Sequence, residues 1–498
     1  VLRNGAIRLH GIAAGRLRWP ADPWRLVLWS GGALLAGVLA LLLGGAIAIG
    51  FYAVPALLAA LLVGAVFLRL PDRHAVLLLM AVVLLLQGTV GYYSGFAQIS
   101  WLAYGLAGLF AVKLGARLLA PRPRRAAPPW VWPLLAFAAV VLLGVLINRP
   151  PLPQLIAGVK NQLPFWLVAL YLPLARLDDR DWSAIWRFLL LVLVCQVPLV
   201  LHQHFFIAAG RAVMGWDAVV GSFGGNPDAG GLNAVMVLYT VVATLLVIAL
   251  YLDGRIPLRR ALAYGVCALL VILLGEVKAA FLWLPLGVLL LLGKRLIRNP
   301  AQLLLALLGL GLFVAIVGTV YERLYWADAP QKGLSENAEH SVDYFFDPKL
   351  IDNRTGEVSR GASIALWLND RTLDTYGRWL GNGIGSSVSG AISSGTVAKR
   401  YAPLDIGSTG IAVLLWDYGI LGLLCYIGLF LTAIGAAWRA VATAIFPNQQ
   451  RLIAAVLVLC LMTLIYNRTL IDEPATQLLV ALAFGYLSRG LNRASNDA

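Results

Sequence analysis

The chain is built from apolar runs, each about as long as the hydrocarbon core of a bilayer is thick, separated by breaks that are alternately basic and nearly uncharged. A helix needs about 20 apolar residues to cross roughly 30 Å of hydrocarbon, and about 15 suffice where neighbours cover its ends. Such runs lie near residues 27–49, 52–68, 75–93, 98–112, 129–147, 155–174, 185–206, 231–251, 261–275, 279–293, 301–320, 410–436, 452–466 and 475–488. The expectation is an all-α polytopic membrane protein of about 14 spans. Composition agrees, because 60% hydrophobic and 13% charged residues leave too little polar surface to cover a soluble globule of 498 residues.

The breaks fix an orientation. With the N-terminus cytoplasmic, 25 of the 39 Lys and Arg fall on the inner side, in the tail with Arg3, Arg8, Arg16, Arg18 and Arg25, and in the breaks at Arg69 to Arg73, Lys113 to Arg125, Arg176 to Arg187, Arg255 to Arg260, Lys294 to Arg298, Arg439 with Arg451, and Arg489 with Arg493. This is the positive-inside pattern. Reading 261–293 as one broken span would destroy it, so the runs meeting at Gly275-Glu276-Val277-Lys278 are two spans. Both termini are expected in the cytoplasm, with the basic first 26 residues serving as an anchor rather than a cleaved signal. The same scheme divides the chain into an N-terminal bundle (1–320, about 11 spans), one large external loop (321–409) and C-terminal spans (410–498). In the loop, Arg360 to Asp370 and Arg371 to Leu380 have helical composition, and Gly381 to Ser387 and Ser389 to Ser394 read as turns.

Topology accounts for the net charge of +15, so no nucleic-acid partner is indicated. Cys195, Cys267, Cys425 and Cys460 all lie in apolar runs without metal-ligand spacing, and no metal or cofactor is expected.

A charged group in or beside a span costs about 2.5–3.5 kcal/mol, so each one calls for a partner or a task. Four places stand out, all on the outer side: Lys160 with Asn161; Arg211 with the turn Gly221-Ser-Phe-Gly-Gly-Asn-Pro-Asp228; Glu276 with Lys278; and Arg468 with Asp472 and Glu473. Arg323, Arg354, Arg360, Arg371 and Arg378 of the loop join them. Such a cluster suits a diphosphate, because Arg forks bind phosphate oxygens bidentately and Lys adds a point charge. Glu276 and Lys278 read equally as a structural ion pair, and a lone loop Arg is more often a solvated charge. His340, in the stretch Glu336 to His340, is a candidate base by the general preference for imidazole in that role.

Over residues 150–440 the chain resembles the O-antigen ligase and O-antigen polymerase (WaaL/Wzy-type) superfamily. The resemblance rests on the order of weak motifs: the turn at Gly221, the hairpin broken at Glu276-Val277-Lys278, the loop helix at Arg360, the turn Gly381-Asn-Gly-Ile-Gly385, and Trp416-Asp-Tyr-Gly-Ile-Leu-Gly422. Ser408 and Thr409 occupy the positions where ligases of the family carry a His-Asn pair, which favours a polymerase. The resemblance implies a GT-C-like fold in the bacterial inner membrane. It implies a metal-independent transfer of glycan from undecaprenyl diphosphate to an acceptor glycan, amid membrane lipids and with room for a chain-length regulator as partner. Lys278, Arg211, Arg360 and Arg468 would hold the diphosphate, and Glu276, Asp405 or His340 would take the acceptor proton. A ligase acting on a lipid or protein acceptor and a lipid-linked glycan transporter are the rival readings.

Overall fold

The computed structural model describes residues 53–120, 127–210, 216–228, 230–324, 336, 339, 342–343, 345–390 and 394–494. The run near 27–49, Arg211 and His340 lie outside the described residues. The chain divides into two units, 1–66 and 67–498. Of the first, residues 53–66 are described, as the helical start of Ala53–Arg69.

Among the described residues eleven helices are long and apolar enough to cross a membrane. The strand pairing among the described residues is slight: one two-residue pair, Gly225–Asn226 with Gly230–Gly231, and two isolated bridges. The protein is an all-α, multi-pass membrane protein. The spans are Asp72–Ser94, Ser100–Leu119, Val131–Asn148, Leu152–Leu174, Asp179–Gly210, Asn233–Leu252, Leu258–Gly275, Ala280–Arg298, Pro300–Arg323, Gly410–Ala440 and Pro447–Tyr466. Pro474–Ala494 is a further helix of 21 residues, buried from Pro474 to Ser488 among its neighbours. Its polar first turn, with Thr476 and Gln477, dilutes its hydropathy without exposing it.

The helices run up and down, so two ends can be told apart. At one end Asp72 accepts from the Tyr171 hydroxyl (2.5 Å), Arg117 Nη2 (2.6 Å) and the Arg176 N–H (2.9 Å). Asn448 donates to Asp253 there (2.6 Å), and Arg489 pairs with Asp179. The opposite end carries the long segment between the Pro300 and Gly410 helices, and is called the loop end below.

Two helices greatly exceed the span length. Gly410–Ala440 has 31 residues, more than the roughly 20 that a core about 30 Å thick requires. It breaks at Gly419 (φ 65°, ψ −165°). Asp179–Gly210 starts early because Asp178 and Asp181 form a reciprocal capping box. Arg180 and Arg187 therefore sit on a helix rather than in a break.

In the long segment between the Pro300 and Gly410 helices Ser359 caps Arg360–Asn369 and Asp374 caps Thr375–Leu380. Residues 371–374 are not helical, unlike the expectation from composition, because Asp370 accepts from the Thr372 N–H (2.7 Å) and fixes a turn. A further helix, Thr396–Tyr401, was not expected. Trp367, Leu373, Val397 and Ile406 form a small core with Ala412, Leu415 and Trp416, which seats this segment on the first turns of the Gly410 helix.

Candidate functional site

Asp417 is fully buried, and it organises the loop end. Its Oδ1 accepts from Ser386 Oγ (2.8 Å) and the Ser387 N–H (2.9 Å), and its Oδ2 from the Gly385 N–H (2.9 Å) and Gln162 Nε2 (3.1 Å). Where Gly419 leaves the helical path, the Trp416 and Asp417 carbonyls lose their partners four residues on. The turn at Gly381 replaces them: the Asn382 N–H (2.8 Å) and Nδ2 (3.0 Å) donate to Trp416, and the Gly383 N–H donates to Asp417 (3.0 Å). Gln154 Nε2 holds the Ile384 carbonyl (3.2 Å) and Asn148 Nδ2 the Gly381 carbonyl (3.2 Å). Two of the motifs singled out in the sequence, at Gly381 and Trp416, are thus one docked unit.

The turn at Gly221 is locked in the same manner. Gln203 Oε1 accepts from the Val220 (2.9 Å) and Gly221 (2.7 Å) N–H groups, Gln196 Oε1 from the Ser222 N–H (2.8 Å), and Ser222 Oγ donates to the Leu84 carbonyl (2.5 Å). The flanking helices carry π-helical turns at Val82–Leu86 and Gln203–Ile207, where the turn enters between them.

The charged residues gather beside this frame, around the last turn of the Pro447 helix. Arg360 Nε donates to the Tyr466 carbonyl (3.2 Å), and its guanidinium lies over the Phe345 ring (5.0 Å). Arg468 pairs through Nη1 with Asp405 (3.3 Å) and through Nε with Asp472 (2.9 Å). The Tyr104 hydroxyl donates to the Asp472 carbonyl (2.8 Å), and Lys160 Nζ sits over the rings of Trp101 (4.7 Å) and Tyr104 (4.8 Å). Gln477 Nε2 ties the Asn161 carbonyl (2.9 Å) to the same place. Burial raises the Asp472 carboxyl, and the attraction of Arg468 offsets only part of that. Glu473 is pushed up to about 8 by burial, reinforced by the neighbouring Asp472, while the Ala475 N–H acts against it.

Glu276 and Lys278 occupy the break between the Leu258 and Ala280 helices. Glu276 ends its helix in the left-handed region (φ 44°, ψ 42°), an unusual conformation for a residue with a side chain. Burial lowers the Lys278 ammonium, opposed by the Glu276 carboxylate. The adjoining Ala280 helix packs on the Pro447 helix, with the Trp283 ring against that of Tyr466 (5.3 Å).

The structure therefore brings Arg360, Arg468 and Asp405 together, with Lys278 on the neighbouring element. Arg323, Arg354 and Arg371 are exposed, and Arg378 packs over Trp367 (5.8 Å). The sequence reading passed over Asp417, although an acidic residue inside the run 410–436 meets the same criterion that flagged Lys160.

Fold and site define a class: a helical multi-pass membrane protein whose ion pairs and strained backbone include a concentration at the end bearing the long inter-helix segment. No protein-family model matches the chain, and no curated protein matches it.

Proposed function

We propose that the chain is a glycosyltransferase of a bacterial inner membrane that polymerises oligosaccharide units carried on undecaprenyl diphosphate, working at the periplasmic face with both termini cytoplasmic. The observation that supports this reading is that basic groups from distant stretches of sequence lie near Tyr466: Arg360 binds its carbonyl, Arg468 follows it in the chain, and the Ala280 helix, which begins two residues after Lys278, packs on its ring through Trp283. The motif order described above supports the same assignment.

In the reaction the acceptor hydroxyl attacks the anomeric carbon of the donor. A carbon–oxygen bond to the acceptor forms as the bond to the diphosphate breaks, the electron pair leaves on the diphosphate, and the hydroxyl proton passes to a carboxylate. Preorganised cations in a water-poor groove stabilise the charge that develops on the leaving group. We assign the diphosphate to Arg360 and Lys278, with Arg211 and Arg468 as further cations, Arg468 being held in position by Asp405 and Asp472.

Removing the protein from its host tests the reading. A polymerase leaves single repeat units on the carrier lipid. Full-length chains left on the carrier would instead indicate a ligase, and units trapped on the cytoplasmic side a transporter.

A further inference from the structure

The loop end contains three carboxylates associated with Arg468, two in contact with it and one five positions along the same connector. Asp405 and Asp472 both pair with its guanidinium. The third, Glu473, makes no ion pair among the described residues, yet it is only partly exposed and sits in the break between the Pro447 and Pro474 helices. It follows Asp472, whose carbonyl holds the Tyr104 hydroxyl. The charged and titratable groups around it are Tyr104 of the Ser100 helix, Lys160 of the Leu152 helix lying over the Tyr104 ring, Arg468 and Asp472 of its own connector, and Asp405 of the long segment. Trp101, exposed beside Lys160, adds a flat apolar ring of the kind a sugar face covers.

We propose that Glu473 is the catalytic base, accepting the proton of the acceptor sugar hydroxyl as that oxygen bonds to the anomeric carbon, while Asp405 and Asp472 hold Arg468 in place. The inference rests on the glycosyltransferase reading and names a residue that reading leaves open. A carboxylate fixed by an ion pair has its oxygens engaged with the cation rather than presented to a substrate hydroxyl. One held in partial burial without a cation is a stronger base, and proton transfer is most effective when the acceptor titrates near the working pH. Glu473, raised to about 8, meets that condition.

The test uses the full-length protein in proteoliposomes, with extension of a carrier-linked repeat unit followed across pH 5.5–9.5. Wild-type rate should rise with pH and level off near 8. Glu473→Gln should lose about 10²–10⁴-fold and the pH inflection with it, while Glu473→Asp keeps part of the rate and a displaced inflection. A Glu473→Gln rate within threefold of wild type, on an unchanged pH profile, overturns the proposal and leaves the glycosyltransferase reading standing. A purely capping role at the Pro474 helix predicts that same unchanged profile. No extension by the wild type overturns both. Should Glu473→Gln fail to insert, the Glu473→Asp profile decides: an inflection that stays at the wild-type position rules Glu473 out.

Discussion

Asp417 shows how one carboxylate can fix an entire end of a membrane bundle. Its removal would orphan the Gln162 amide, the Ser386 hydroxyl and the N–H groups of Gly385 and Ser387. Each buried orphan costs about 1–3 kcal/mol. Asp417→Ala should therefore lower stability by at least about 3 kcal/mol, read from unfolding midpoints in detergent, and Asp417→Asn, which keeps one acceptor oxygen, should lose less. Glu473 gives a prediction of opposite pH sense to an ordinary carboxylate. Its folded value of about 8 lies above the usual 4.5, so the stability it adds is full below 4.5, declines as pH rises, and is gone above about 8. The melting temperature should fall over that interval, and Glu473→Gln should flatten the fall.

At the scale of elements, glycine turns enter the bundle where the helices are broken to receive them. A Cβ on Gly88 would lie 2.1 Å from the Ser222 carbonyl oxygen. Gly88→Ala should accordingly expel the Gly221 turn, seen as new protease cleavage between residues 216 and 231. Gly419 is the matching case at the Gly381 turn, with a left-handed φ and Trp379 backbone 2.5 Å from its Cβ position. Eleven of the fourteen expected spans match helices long and apolar enough to cross a membrane among the described residues, and helices such as Asn233–Leu252 and Leu258–Gly275 fall close to the expected runs 231–251 and 261–275, because hydropathy is a property of each residue in turn. The buried hydrogen-bond partners were not. Nothing local announces that the Asp417 carboxylate faces Ser386 and Gln162, since those contacts join residues 31 and 255 positions apart. Likewise the Asp370 turn, set by a single side chain, outweighed the helical composition of 371–374. Of the candidate site, Arg360 and Arg468 were singled out in the sequence as charges at span ends or in the long segment, whereas the pairing of Arg468 with Asp405 depends on a contact across 63 positions.

For the whole molecule, the account requires the loop end to face outward. In a background lacking the four native cysteines, Thr355→Cys should react with a membrane-impermeant maleimide from the periplasmic side. Ala120→Cys should react only after the membrane is permeabilised. Both positions are exposed, so burial does not confuse the result. The central claim is that Arg360 and Lys278 stabilise a departing diphosphate, and rates of carrier-linked glycan extension in proteoliposomes test it most directly. Arg360→Ala and Lys278→Ala should each lose about 10²-fold or more at normal insertion, with Arg323→Ala unchanged. Equal rates for all three variants and the wild type would contradict it.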